Sequence, residues 1–447
     1  MKRLWHKVVV VVAILVVMVL LVVLLPGCAG APQVTAPKEI VLGNTLLLTG
    51  PGAAFGQGMA FGLKAGVEDI NKLGGIYIKE YSRKLPVRVV ILDNESDPVK
   101  AGTLAEDLVL KEKINFFVTS GWPPLSAAMA NVAEKYKIPN VCFPGPFEPF
   151  DALRQAAGGW KHTWISGFAL GTPAEKGYWA EGKAGYTMMD LWLGFMGQFI
   201  NQTNKKVGVF ASDDADGRGW YGGFPGALKG LGMDIELVGL QKELGVAPMD
   251  TTDFTSIIRE WKDNNVEILI GNAPAPWFGT MMRQAASLQF KPKIIIAERA
   301  AMFYADIVSW GGDLPWGVTA VVEWLPTIKA SGIGDTTPVS LDARWKAASG
   351  QPTHMLVGGT YAQVQILADA IERAGTLKAD AVTGALAKTD LMTIRGRNVY
   401  DSHQFARWPV CFGQWFKTDS AQKWEFKVIF SQHDFYPTTA KPIFPIP

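Results

Sequence analysis

Hydrophobic positions along this chain fall into two regimes. Val8 to Leu25 is an unbroken apolar run without a charge. From Lys38 onward, short apolar runs alternate with segments of helical spacing. Ile40 to Leu48 reads as a strand, closed by Thr49-Gly50-Pro51-Gly52, and Phe61 to Leu73 as a helix that stops at Gly74-Gly75. Pro86 to Leu92, Ile114 to Thr119 and Pro139 to Phe143 read as further strands, with helices over Pro98 to Lys111 and Leu125 to Tyr136 between them. Continuous Val/Ile/Leu strands separated by helices predict a parallel sheet covered on both faces.

After a Gly- and Trp-rich stretch, Gly158 to Gly185, the alternation resumes. Helices are expected over Met188 to Gln202, Gly222 to Gly230, Phe254 to Asn264 and Phe278 to Leu288. Strands are expected at Lys206 to Phe210, Asp234 to Leu240, Glu267 to Ile270 and Lys293 to Ala297. A loop near 326–340 precedes helices at Gly359 to Ala374 and Ala379 to Lys388. Val410 to Phe416 and Trp424 to Phe430 read as a hairpin, and residues 436–447 as a proline-rich strap. The fold class is therefore α/β, with two doubly wound, Rossmann-like units in tandem.

The first regime changes the picture of where the chain works. Lys2, Arg3 and Lys7 precede the apolar run, which ends at Leu25-Pro26-Gly27-Cys28. This is the layout of a bacterial export signal over residues 1–28, with lipidation at Cys28 and a soft linker over 29–37. Pro26 stands where such signals carry a smaller residue, and the run approaches the ~20 residues of a membrane span. A retained signal-anchor is thus the alternative. Both place the rest of the chain in the cell envelope, on the periplasmic or outer face of a membrane.

Without Lys2, Arg3 and Lys7, 40 of the 43 basic residues remain against 41 acidic ones. So balanced a body carries no electrostatic footprint for nucleic acid. Cys142 and Cys411 make no disulfide framework, and none of the five histidines stand at ligand spacing, so no metal is expected. Sixteen tryptophans are many, and Trp122, Trp160, Trp220, Trp277 and Trp316 sit beside Gly or Pro. Flat rings in loops can pack or line a ligand pocket.

Candidate chemistry is sparse. Gly50 to Gly58 follows the first strand, where a helix start can hold an anion. Asp93 lies about 40 residues downstream rather than about 20, and the glycine spacing is wrong for a dinucleotide fingerprint. Asp213, Asp214 and Asp216 read as a solvated loop with Asp216 toward the cleft. Nothing assembles a nucleophile, a base and an oxyanion hole, so no enzyme and no cofactor are expected.

One ordered set of short segments is more specific. It comprises Leu48-Thr49-Gly50-Pro51, Phe55-Gly56, Asp69-Ile70-Asn71 with Leu73 to Ile76, Asp93 with Pro98 and Ala101, and Ala133 to Lys135 with Ile138-Pro139. Asp253 to Thr255 with Ile258, Met282 to Ala285, Tyr361-Ala362 with Ile366, and Gln414-Trp415 continue it. This set resembles the leucine/isoleucine/valine-binding family of ABC-transporter solute-binding proteins, with the type I periplasmic-binding fold. The resemblance implies two lobes joined by three crossovers, placed near Ile165, Val322 and Val399. Lobe one is then 38–165 plus 323–399, and lobe two 166–322 plus 400–435. Ligand binds between them at the carboxyl ends of the strands, and the lobes close by hinge bending.

The resemblance also implies the site: Phe55, Ser120, Gly121 and Trp122, and Gly145 from lobe one; Tyr221, Pro274, Trp277 and Glu298 from lobe two. In amino-acid-binding members the loop after the third strand is serine-rich; here Pro123-Pro124 stand in it, and Phe143-Pro144-Gly145-Pro146 has likewise lost hydroxyls. Glu298 is expected to meet a ligand cation or hydroxyl, with a salt bridge as the other reading. The expectation is a monomeric, lipid-anchored importer component with no catalysis. It captures a small organic solute, amino-acid-like, aromatic acid or amide, and delivers it to ABC permease subunits. A sensor that reports to a membrane receptor is the alternative.

Overall fold

The computed structural model describes residues 5–6, 9–13 and 35–447. Met1–Pro37 and Lys38–Pro447 are separate units. The expected signal cleavage and lipidation at Cys28 lie outside the described residues. No helix among the described residues is long and apolar enough to cross a membrane.

The larger unit contains two main sheets. The strands, in chain order, are β1 (Ile40–Leu46), β2 (Val87–Asp93), β3 (Phe116–Ser120), β4 (Asn140–Phe143), β5 (Thr163–Gly167), β6 (Lys206–Ser212), β7 (Glu236–Val238) and β8 (Val246–Ala247). They continue with β9 (Ile268–Asn272), β10 (Ile294–Ala297), β11 (Thr319–Val322), β12 (Phe405–Arg407), β13 (Cys411–Lys417) and β14 (Trp424–Phe430). The first sheet has the order β12-β5-β4-β3-β1-β2, all parallel. The second runs β8-β6-β9-β10-β11-β13-β14, with β7 beside β6. Only its β11-β13-β14 end is antiparallel. The central strands are buried along their whole length, as uninterrupted apolar runs require when helices cover both faces.

These two sheets centre two lobes, and the chain crosses between them three times. It leaves the first sheet after Gly167, returns after Val322, and leaves again between Arg407 and Cys411. The last crossing differs from the one expected near Val399. Phe405–Arg407 pairs in parallel with Ile165–Gly167, so this piece of 400–435 belongs to the first sheet rather than to lobe two. Phe405 also stacks on Phe147 at 4.1 Å, an apolar anchor that the pattern of a three-residue strand does not reveal.

Helices also depart from expectation in length. Helix α1 (Ala53–Lys72) begins eight residues before Phe61, so the glycine-rich segment is mostly helix, not turn. Two of its glycines, Gly62 and Gly66, face the helix Val357–Ala374. A Cβ on Gly62 would stand 2.3 Å from the Val357 carbonyl oxygen, and one on Gly66 2.9 Å from Val364 Cβ. Glycine here lets two backbones approach, which outweighs its cost of about 1 kcal/mol in a helix interior. Helix α2 (Pro123–Tyr136) opens on two prolines, whose missing N–H groups cost nothing at a first turn. Phe147–Ala156 and Pro338–Ser349 form helices that the reading of loops did not anticipate, the latter closed by a Thr337/Ser340 capping box.

Candidate functional site

The carboxyl ends of β1 and β3 in one lobe and of β10 in the other lead into the segments that carry Phe55, Trp122 and Phe303. Phe55, in the first turn of α1, is half-buried. Its ring meets Trp122 edge-on at 5.6 Å and 83°, and Phe303 of lobe two edge-on at 4.7 Å and 77°. Both are the favoured geometry for aromatic quadrupoles. Phe303 also stacks on His354 at 4.6 Å and 22°. A cavity of about 240 Å³ opens beside these rings, lined by Ala54, Gln57, Phe303, Tyr304, Gln351 and His354.

Lobe one presents its pieces unevenly. Gly121 takes φ +135°, which only glycine holds without strain, and turns the chain so that Trp122 follows the strand directly. The indole Nε1 of Trp122 is buried and has no hydrogen-bond partner. Gly145, at φ +85°, has open space where a side chain would project. Ser120 turns away from the role expected of it. Fully buried, it donates through Oγ to Gln363 Oε1 at 2.7 Å and accepts from Asn44 Nδ2 at 3.3 Å. Gln363 Nε2 in turn donates to the carbonyls of Thr119 and Val141, both at 2.7 Å. The serine therefore ties the helix Val357–Ala374 to the sheet.

On the second lobe, Tyr221 and Trp277 are likewise committed to packing. Tyr221 Oη donates to the Leu240 carbonyl at 3.3 Å, and burial pushes the phenol up to about 12. Trp277 is 3% exposed inside the lobe-two core, 4.4 Å from the Phe254 ring, with Nε1 donating to the Pro248 carbonyl at 3.1 Å. Pro274, half-buried, starts the helix that carries it. Glu298, just past β10, is buried and accepts from Trp192 Nε1 at 2.9 Å. Burial pushes its carboxyl up to about 8, so it is protonated at neutral pH rather than engaged in a salt bridge.

Of the aspartates expected in a solvated loop, Asp213 is exposed and pairs with Arg218, while Asp214 and Asp216 are organised by Arg299. Its Nη2 donates to Ser212 Oγ at 2.7 Å and Asp214 Oδ2 at 2.8 Å, and its Nη1 lies 3.3 Å from Asp216 Oδ2. Asp214 also caps the helix Ala215–Gly230 by accepting from Gly217 N. Among the described residues no group of His, Cys, Asp and Glu is arranged to hold a metal ion. Asp93 orders the loop after β1, accepting from Leu48 N, Thr49 N and Thr49 Oγ1.

Phe303 and His354 were not among the sequence-derived candidates. His354 Nε2 donates to the Ala54 carbonyl at 2.8 Å while Nδ1 accepts from Leu356 N at 3.3 Å. Burial lowers the imidazole to about 4, so it stays neutral and stitches α1 to the cleft wall. No periodicity marks either residue. Their one shared trait in the sequence is a place in a loop just before a helix.

A family model described as periplasmic binding protein matches residues 39–419. The chain belongs to the periplasmic binding protein family. A Leu/Ile/Val-binding protein of Rhizobium johnstonii is 25% identical over 368 residues, 81% of this chain and 87% of the relative. A leucine binding protein of Thermotoga maritima superposes with a TM-score of 0.66 at 19% identity, covering 88% of this chain and 99% of its own. An ABC-transporter solute binding protein of Rhodopseudomonas palustris in complex with 4-hydroxybenzoate reaches 0.65 at 19% identity, covering 89% and 98%. These structures share the type I fold of two lobes around a cleft.

Proposed function

We propose that this protein is the extracytoplasmic solute-binding component of an ABC importer and carries out no catalysis. It captures a small organic solute between its lobes and hands it to permease subunits. Tethering through a lipid at Cys28 would keep it, as a monomer, beside that permease. The lobes are 38–167 plus 323–407 and 168–322 plus 408–435.

The observation that carries the reading is the meeting of Phe55, backed edge-on by Trp122, with Phe303 from the other lobe, beside a cavity that Ala54, Gln57, Phe303 and His354 line. Rings from both sides of a hinged cleft suit a solute that is flat or apolar over part of its surface. With Ser120 spent on Gln363, the lobe-one loop offers fewer hydroxyls to an amino-acid carboxylate than its position suggests. We favour an aromatic acid or amide over a plain branched-chain amino acid, with Phe55, Gly121, Trp122, Gly145, Pro274 and Phe303 around it.

Titration of the purified protein with isoleucine, 4-hydroxybenzoate and benzamide, followed by intrinsic tryptophan fluorescence and calorimetry, tests this. Saturable binding with a fluorescence change is expected for an aromatic member of the set. Silence across this set and a wider metabolite panel would rule the reading out. Membrane release of a Cys28→Ala variant expressed in a bacterial host tests the anchor.

A further inference from the structure

Near the crossings after Val322 and Arg407, buried polar groups gather that their surroundings leave unmatched. Arg395 stands at the turn of the lobe-one hairpin formed by Asp390–Thr393 and Gly396–Val399, and is fully buried. Its Nη1 donates to the Pro409 carbonyl at 2.7 Å, and its guanidinium lies 5.4 Å from the Trp408 ring centroid. Nε and Nη2, the two donors along one side of the guanidinium, have no partner. Glu323 directly follows β11 at the carboxyl edge of the lobe-two sheet; it is 4% exposed, and its Oε2 has no partner. The next residue, Trp324, donates Nε1 to the Ile394 carbonyl at 3.1 Å, which brings this strand end beside the hairpin turn. Tyr436, from the C-terminal segment, is fully buried too; its Oη has no partner, and it lies near enough to Arg395 and Glu323 to feel their charges.

An uncompensated guanidinium in such a place costs several kcal/mol, so its retention asks for a counterpart. Burial pushes Glu323 up to about 7 even with Arg395 drawing it back, so near neutral pH it holds a proton as readily as a charge. Two parallel N–H groups of an arginine match the two oxygens of a carboxylate. Elsewhere in the lobe-one loops, Pro123, Pro124, Pro144 and Pro146 have no N–H to give, and Ser120 is occupied. We propose that Arg395, Tyr436 and Glu323 form a carboxylate-binding subsite at the hinge end of the cleft, which takes the acid group of the captured solute. The subsite rests on the solute-binding reading above and narrows it to organic acids, held at the hinge rather than at the loop after β3.

Calorimetry on the full chain separates the two readings by pairing each acid with its neutral analogue: 4-hydroxybenzoate with 4-hydroxybenzamide, and isoleucine with isoleucinamide. Wild type is expected to favour one acid over its amide at least roughly tenfold, the scale of a charge-assisted hydrogen bond. Tyr436→Phe, which removes a single oxygen, should weaken that acid about fivefold to tenfold and leave the amide unchanged. Arg395→Gln should weaken the acid about 100-fold. Should Arg395→Gln fail to fold, Tyr436→Phe and Glu323→Gln carry the test. Wild type that binds an amide as well as its acid, or variants that keep the acid preference, would overturn the subsite while leaving solute binding intact. Wild type that binds none of the four, nor any solute of a wider metabolite panel, would remove both.

Discussion

The two walls of the cleft are built on opposite principles. On the lobe-one side, glycines let α1 press against the helix Val357–Ala374, and the helix start then projects Phe55 toward Trp122 and an indole N–H without a partner. On the lobe-two side, polar groups already answer one another, Arg299 with Asp214 and Asp216 and Glu298 with Trp192, although Arg299 Nε and Trp220 Nε1 have no partner. Tryptophan serves the first wall as surface and the second as filling, since Trp277 lies in the core with Phe254. The proposed recognition is thus asymmetric: lobe one would offer apolar area around Phe55 and Trp122, and lobe two mainly the single ring of Phe303.

The contrast can be broken most visibly at Trp277. Trp277→Ala should cost about 3–5 kcal/mol by cavity formation, read as a lowered midpoint in denaturant. The variant's ligand affinity, measured well below its melting temperature, should stay near wild type; a wall residue would show the reverse pattern.

A next-smaller effect concerns Glu298. Its folded-state value of about 8 lies above its ordinary 4.5, so the folded form binds the extra proton between those values. Stability from this group is therefore full below about pH 4.5 and falls as pH rises toward 8. Glu298→Gln keeps the Trp192 contact and should stabilise the protein by on the order of 2 kcal/mol at pH 7.5, with a flatter pH profile. Equal melting temperatures for variant and wild type at pH 7.5 would show that the carboxyl is ionised there.

His354 shifts the other way. Held at about 4, below the ordinary 6.5, it stays neutral in the fold while the unfolded chain takes up a proton. Stability should drop as pH falls from 6.5 toward 4, by roughly 1–3 kcal/mol over that window. A His354→Gln variant should lose that part of the acid sensitivity.

The finest probe is Trp122→Phe. It deletes an N–H that has no partner within the protein, so melting should change little, while affinity for whichever panel solute binds should fall by about 1 kcal/mol. Unchanged affinity would take the Trp122 donor out of the site.

Much of this architecture was legible in the order of residues. Buried strands must be apolar throughout when both faces are covered, so β1, β3, β9 and β10 announce themselves, and their alternation with helical segments implies a doubly wound sheet. The family signature from Leu48 to Trp415 carried the two-lobed plan. Short elements were less legible. Three residues at Phe405–Arg407 have no period to read, and a glycine-rich helix looks like a turn until its close-packed neighbour is known.

What the sequence by itself determined is the periodic burial of each element, because that depends only on spacing along the chain. Which side chains meet at the cleft was decided by tertiary structure. Ser120 finds Gln363 across 243 positions, and Phe55 finds Phe303 from the other lobe. Such pairings come from the packing of one helix on one sheet and of one lobe on another, and residue spacing carries no term for either.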